Sequence, residues 1–247
     1  MSPKVILITG SAKRIGAFTA RYLHQLGWNI LLHYNQSEQQ ASELAKQMNA
    51  ARAGSVKLVQ GSLNTVQEIE QVAQQAIAAF GQLNALLNNA SSFYPTPIGS
   101  ISESDWTNLV GSNMQAPLFL AQYCNATLQK NNGVIINMVD IHAAKPLSNH
   151  TLYCMAKSAL VMMTQSLAQE LAPNVRVNGV APGAILWPET TISEEDKEQV
   201  LKLVPLQKLG AMQDIAQAID YLLNAQYVTG QIITVDGGRS IASHVKA

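Results

Sequence analysis

Short, nearly unbroken apolar runs alternate along this chain with longer stretches in which apolar residues return every three or four positions. The first run, Lys4 to Thr9, carries Val-Ile-Leu-Ile at its centre and predicts a strand buried on both faces. A glycine-bearing turn follows, then a helical pattern from Arg14 to Leu26 closed by Gly27 as a C-terminal cap. Asn29 to Tyr34 reads as a second strand, and Ser37 is placed to cap a polar helix reaching about Arg52. Val56 to Gln60 predicts a third strand, and a helix from about Thr65 to Phe80 ends at Gly81. Strand and helix in strict alternation predict parallel βαβ units.

The second half keeps the rhythm. Asn84 to Leu87 predicts a strand, followed by the loop Asn88-Asn89-Ala90-Ser91-Ser92-Phe93-Tyr94-Pro95-Thr96-Pro97, whose prolines forbid a helix start. Helices are predicted over about Glu103 to Gly111 and Met114 to Gln129, a strand over Gly133 to Val139, a long helix over Thr151 to Leu171 and a strand over Val175 to Val180. After Pro182-Gly183 come an irregular segment, short helical patterns at Glu194 to Leu203 and Gln213 to Leu223, and a last strand, Ile232 to Val235, before Asp236-Gly237-Gly238. No linker, repeat or low-complexity tract interrupts the 247 residues. The pattern predicts one α/β domain of the doubly wound, Rossmann type, with about seven parallel strands and helices on both faces. Such domains bind ligands beyond the carboxyl ends of their strands.

Composition narrows the partners. Hydrophobic residues make up 47% and charged residues 13%, and 16 basic side chains balance 16 acidic ones. That balance offers no basic face for nucleic acid and no attraction to an anionic membrane; small neutral partners or self-association are expected instead. No apolar run approaches the roughly 20 residues that span a bilayer. With two cysteines, Cys124 and Cys154, and no charged n-region followed by an apolar h-region at the start, the expected setting is the reduced cytoplasm. No His/Cys/Asp cluster has metal-ligand spacing, so no metal is expected.

The candidate chemistry centres on Tyr153 and Lys157. Four residues apart on the predicted long helix, phenol and ammonium stand on one face, and a nearby ammonium is expected to lower the phenol pKa from about 10 and make it a usable proton donor. At the other end of the fold, Gly10-Ser11-Ala12-Lys13-Arg14-Ile15-Gly16 lies between the first strand and first helix, where backbone N–H groups can meet a pyrophosphate. Arg14 stands where a middle glycine is usual. The tip of the second strand reads His33-Tyr34-Asn35-Gln36-Ser37, with no carboxylate before Glu38 to bond a ribose 2′-hydroxyl or repel a 2′-phosphate. Arg14, His33 and Ser37 are expected to offer donors to such a phosphate, which favours NADPH over NADH.

Taken in order, the Thr9-Gly10 turn, Asn88-Asn89-Ala90, Asn113, Tyr153-x-x-x-Lys157, Pro182-Gly183 and Asp236-Gly237-Gly238 resemble the short-chain dehydrogenase/reductase superfamily over essentially the whole chain. Arg14, Asp140 thirteen residues before the tyrosine where most members carry Ser, the loop Asn89-Ala90-Ser91-Ser92-Phe93-Tyr94-Pro95-Thr96-Pro97, and His33-Tyr34-x-x-Ser37 are similar to the pteridine reductase branch. The resemblance implies an NADPH-dependent reduction of dihydropterins, and of dihydrofolate as a further candidate. It makes Tyr153 the proton donor or relay, Lys157 the partner of the nicotinamide ribose, and Asn113 the residue that holds a relay water. Phe93 becomes the aromatic that sandwiches the pterin, and Ser91 and Arg14 become contacts to both cofactor and pterin. Ser62 and Leu63 after the third strand, with Lys13, Ile15, Asn35, Asn89, Ala90, Pro182 and Gly183, are expected to complete the cofactor site. The resemblance also implies a substrate lid over about 184–204 and a homotetramer, with Ala159-Leu160-Val161-Met162-Met163 suited to burial in an interface.

The chemistry suits these residue types. Reducing a pterin C=N bond needs a hydride on carbon, from the cofactor, and a proton on nitrogen, from the protein. Asp140 ends the fifth strand where Tyr153 also projects, so carboxyl and phenol can share a relay, and a carboxyl accepts from substrate N–H groups as a Ser beside a ketone would not. Two rival readings stay open: a ketone reductase acting on a substrate such as a 3-oxoacyl thioester, and a non-catalytic NADP-binding sensor.

Overall fold

The computed structural model describes residues 3–187 and 193–242. Seven parallel strands form one sheet: β1 (Val5–Ile8), β2 (Asn29–Tyr34), β3 (Val56–Gln60), β4 (Ala85–Asn88), β5 (Val134–Met138), β6 (Arg176–Pro182) and β7 (Ile232–Val235). Their order across the sheet is β3-β2-β1-β4-β5-β6-β7. The chain reverses its direction of travel between β1 and β4, and the crevice beyond the carboxyl ends of those two strands is where this topology binds ligands.

The helices are α1 (Arg14–Gln25), α2 (Glu38–Ala51), α3 (Val66–Phe80), α4 (Glu103–Val110), α5 (Ala116–Lys130), α6 (Thr151–Glu170), α7 (Glu194–Lys202) and α8 (Met212–Asn224). The two-residue period of the strands sorts them onto two cores. Ile6, Ile8, Ile30 and Leu32 face α1, α2 and α8, while Val5, Leu7 and Leu31 face α3 and α5. Burial on both faces is the reason the inner strands β1, β2, β4 and β5 read as nearly continuous apolar runs.

Local signals in the sequence set the helix ends. Thr65 and Glu68 form a reciprocal capping box at α3, and Ser102 and Asp105 form another at α4. Gly81 ends α3 in the left-handed conformation with φ 67°. The predicted break between helices near residue 112 is filled instead by a π-helical turn, Gly111–Gln115, which joins α4 to α5 without a loop. Of Ala159–Met163 on α6, Leu160 turns into the chain's own core, whereas Met162 is 64% exposed. A buried polar ladder steadies α6: the Asn88 amide donates to Asn137 Oδ1 at 2.8 Å, and the Asn137 amide donates to Thr164 Oγ1 at 2.9 Å. The described parts of the expected lid are residues 184–187 and 193–204, the latter containing α7, capped by Ser193; its residues 188–192 lie outside the described residues.

Candidate active site

At the nucleotide end the chain is drawn very close together. Thr9 Oγ1 accepts from the backbone N–H groups of both Asn89 and Ala90 at 2.9 Å, and the Asn89 side-chain amide donates to the Thr9 carbonyl at 2.8 Å. These bonds fasten the turn after β1 to the end of β4. Gly10 has φ 61°, and a Cβ there would meet Ala90 Cα at 3.0 Å; at Gly16 a Cβ would fall 2.6 Å from Asn89 Nδ2 and from the Gly10 carbonyl. Close approach requires glycine at both positions, and at Gly10 the left-handed backbone requires it as well. Arg14 itself adopts φ 52°, so the position that usually holds the middle glycine keeps its left-handed backbone and carries an arginine in it. Its Nη2 donates to the Trp187 carbonyl at 3.4 Å, linking the turn to the start of the lid segment.

The turn and the tip of β2 fit an anionic dinucleotide. The first turn of α1 carries no acidic residue and no side-chain cap, and Lys13 and Arg14 are exposed at its N-terminus. At the tip of β2, Asn35 is exposed and Ser37 half-buried, and Ser37 makes no capping bond with its hydroxyl. His33 corrects the sequence expectation. It is buried, its Nδ1 accepts from the Gly10 N–H at 3.1 Å, and its Nε2 donates to the Gly61 carbonyl at 3.1 Å. Burial holds its pKa down at about 4, against a smaller opposing effect of the Gly61 carbonyl. With both ring nitrogens committed it is no phosphate donor; it is the strut that pins the glycine turn to β2 and β3.

Other expected cofactor residues also spend their side chains inside the fold. Ser62 Oγ donates to Glu68 at 3.0 Å, Leu63 is buried against α3, and Tyr34 is buried with α1 and α2. Ile15 packs against the same cluster as Tyr34. Pro182 ends β6, and the Gly183 N–H donates to the Val235 carbonyl at 2.9 Å.

The expected catalytic residues converge beyond β4, β5 and β6. The Tyr153 hydroxyl donates to Asp140 Oδ2 at 2.7 Å, and Asp140 Oδ1 accepts from the His142 N–H at 2.8 Å. Lys157, buried one turn along α6 from Tyr153, donates to the Met138 carbonyl at 2.7 Å, and its ammonium lies 5.6 Å from the centre of the Tyr153 ring. Burial lowers the Lys157 pKa to about 8, against the pull of Asp140.

The effect on the tyrosine is opposite to expectation. Burial, and then the Asp140 carboxylate, raise the Tyr153 pKa far above the ordinary phenol range, with Ser91 lowering it slightly. The ammonium that was expected to stabilise a phenolate is turned to a backbone carbonyl, while the group in direct contact with the phenol is an acid.

Asn113 sits in the π-helical turn, where its amide donates to the carbonyls of Ser92 and Leu109 at 2.9 Å and its Oδ1 accepts from Ser91 Oγ at 2.8 Å. A π-turn at this position is a common companion of function. Here it lets one side chain hold the Ser91-Ser92 loop, and so the Phe93 that follows, over Tyr153. The Phe93 ring meets the Tyr153 ring edge-on at 4.8 Å and stacks on His150 at 4.7 Å.

Phe93, Asp140, Tyr153 and Gly183 line one cavity of about 280 Å³ together with Trp187, Val200 and Arg239. A larger cleft of about 470 Å³ between α1 and α8 lies toward the opposite edge of the sheet, away from these groups. His142, His150 and Arg239 were not singled out from the sequence. Their only signals were spacing: two residues past Asp140, three before Tyr153, and directly after Asp236-Gly237-Gly238. Among the described residues no group of three His, Cys, Asp or Glu side chains is placed to hold a metal, and no helix is long and apolar enough to cross a membrane.

A glycine-tight turn at the switch point of a parallel sheet, joined to a Tyr-Lys pair on the helix after β5, defines a nucleotide-dependent oxidoreductase. A family model described as enoyl-(acyl carrier protein) reductase matches residues 10–240, and the chain belongs to the short-chain dehydrogenase/reductase family. It is 34% identical over 278 residues to pteridine reductase 1 of Leishmania tarentolae, covering 96% of each chain. It is also 30% identical over 240 residues to a 3-oxoacyl-[acyl-carrier-protein] reductase of Staphylococcus aureus, covering 95% of this chain and 97% of that one. The corresponding reductase of Staphylococcus epidermidis is 29% identical, with 95% and 98% covered.

Proposed function

We propose that this protein is an NADPH-dependent reductase of dihydropterins, working in the cytoplasm as a homotetramer. The observation that carries the reading is the 2.7 Å hydrogen bond between Tyr153 and Asp140 at the wall of the cavity. A ketone needs one donor to its oxygen. A pterin ring needs a proton on nitrogen and an acceptor for its own N–H groups, and a carboxyl joined to a phenol supplies both. Phe93 adds a flat apolar face beside them, suited to a planar heterocycle.

The cofactor residues support NADPH. Lys13, Arg14 and the N-terminus of α1 would hold the phosphates, and the tip of β2 carries Asn35 and Ser37 with no carboxylate before Glu38. When bound, the cofactor supplies the hydride. The chain's own residues do the rest: Tyr153 and Asp140 share a proton at the cavity wall, so protonation of the pair from solvent leaves a hydrogen available to a substrate nitrogen. Lys157 holds positive charge one helical turn away up to a pH of about 8. Asn113 and His150 fix Phe93 against the pair.

The second reading is a reductase of 3-oxoacyl thioesters, favoured by the 30% identity to the Staphylococcus aureus enzyme. The two readings separate by substrate. NADPH oxidation by the purified protein is expected with dihydrobiopterin and not with an acetoacetyl thioester. Turnover of the thioester alone would overturn the pterin reading, and tight NADPH binding with neither substrate consumed would favour the sensor.

A further inference from the structure

We propose that Arg239 forms an anion subsite in the wall of the substrate cavity, selecting substrates whose side chain ends in a carboxylate or phosphate. The inference rests on the pterin reading for the head of the substrate, and on the following geometry for its tail. Arg239 lines the same cavity as Phe93, Asp140 and Tyr153. Among the described residues no carboxylate lies within ion-pair distance of it. The acid lining the cavity, Asp140, is held by Tyr153 and by the His142 N–H. A guanidinium at the wall of a cavity whose acid is already committed is a ready partner for an incoming anion.

The loop that carries Arg239 is built to hold it there. Asp236 accepts from the N–H groups of Gly238 at 2.8 Å and Ser240 at 2.6 Å, and the Arg239 N–H donates to the Asp236 carbonyl at 3.2 Å. Gly237 and Gly238 have φ of 62° and 87°, and a Cβ on either would meet Val204 or Pro205 within 3 Å. Lys145 reaches across from the segment after Asp140 and donates to the Arg239 carbonyl at 2.8 Å, which ties the loop to the catalytic end and brings a second cation near it. His142 also lines the cavity, its Nδ1 hydrogen donated to the Lys145 carbonyl at 2.8 Å. One cavity thus offers a substrate a carboxyl, a phenol and an aromatic face together with a guanidinium.

The test is a specificity ratio. For wild type, Arg239→Met and Arg239→Lys, kcat/KM is measured with dihydrofolate, whose tail carries carboxylates, with a phosphorylated dihydropterin, and with neutral dihydrobiopterin. In Arg239→Met the ratio of anionic to neutral substrate is expected to fall roughly tenfold or more, through KM rather than kcat, as loss of one charge-assisted hydrogen bond predicts. Arg239→Lys should keep most of it. The larger fall, with the carboxylate or with the phosphate, identifies the anion preferred. Equal losses on anionic and neutral substrates would overturn the subsite and leave Arg239 a structural residue. If wild type turns over no pterin, the underlying reading has failed on its own. The same ratio is then taken between acetoacetyl-coenzyme A and its neutral N-acetylcysteamine thioester, where a selective loss supports the subsite and an equal loss overturns it.

Discussion

His33 shows how a single residue can change roles between sequence and structure. From the sequence it stands at a strand tip among donors to a 2′-phosphate. In the fold it is buried, neutral, and bonded to Gly10 and Gly61. Whether a side chain near the end of a strand turns inward depends on what covers it, which is not written in its neighbours. Its stability consequence has a definite sign. The folded-state pKa of about 4 lies below the ordinary 6.5, so the unfolded chain takes up a proton first, and stability is lost as the pH falls from about 6.5 toward 4. Between pH 7 and pH 5 the loss is about 2 kcal/mol. Urea unfolding should show that fall in wild type and a fall smaller by about this amount in His33→Gln, which has no titrating ring; equal falls in the two proteins would contradict the strut. Tyr153 carries the same lesson. Its spacing to Lys157 was legible and correct, but burial and Asp140 set its acidity, and neither burial nor the turning of Lys157 toward Met138 follows from a four-residue interval.

At the scale of elements, strands and helices were legible because each carries its own signal: apolar runs for strands buried on both faces, capping boxes at Thr65 and Ser102, and Gly81 at a helix end. The π-helical turn was not. A one-residue widening of a helix leaves the apolar periodicity nearly unchanged, and Gly111-Ser112-Asn113 reads as a break. The turn gives Asn113 its reach to three partners across the Ser91-Ser92 loop and α4. Asn113→Ala should therefore lower stability by about 2–3 kcal/mol through the partners left unsatisfied, a fall in Tm of about 5–10 °C for a chain of this size. An unchanged Tm would mean that the loop is held by other contacts.

At the scale of the whole molecule, α5 and α6 present Leu118, Met155 and Met162 to solvent in the single chain. That face suits a subunit interface of the proposed tetramer, and the outward-facing Met162, not the inward-facing Leu160, is the residue to probe. Light scattering is expected to give four times the mass of one chain, and Met162→Asp a smaller assembly; a monomeric wild type would contradict the proposed assembly. A parallel sheet with helices on both faces, and the meeting of residues 140 and 153 beyond the carboxyl ends of its strands, were legible, because parallel βαβ topology sends every strand's carboxyl end to the same side; the strand order was not. The placement of Arg239 was not, since it depends on how the last turn folds back against Val204 and Pro205.

The central claim is that Asp140 and Tyr153 act as one proton-donating unit on a pterin. Its most direct test is NADPH oxidation with dihydrobiopterin by wild type, Asp140→Asn, Tyr153→Phe and the double variant. Groups acting as a unit lose their function together: each single variant should lose roughly a hundredfold or more in kcat, and the double variant should be little worse than either. Multiplying losses in the double variant, or near-wild-type turnover by Asp140→Asn, would contradict the account.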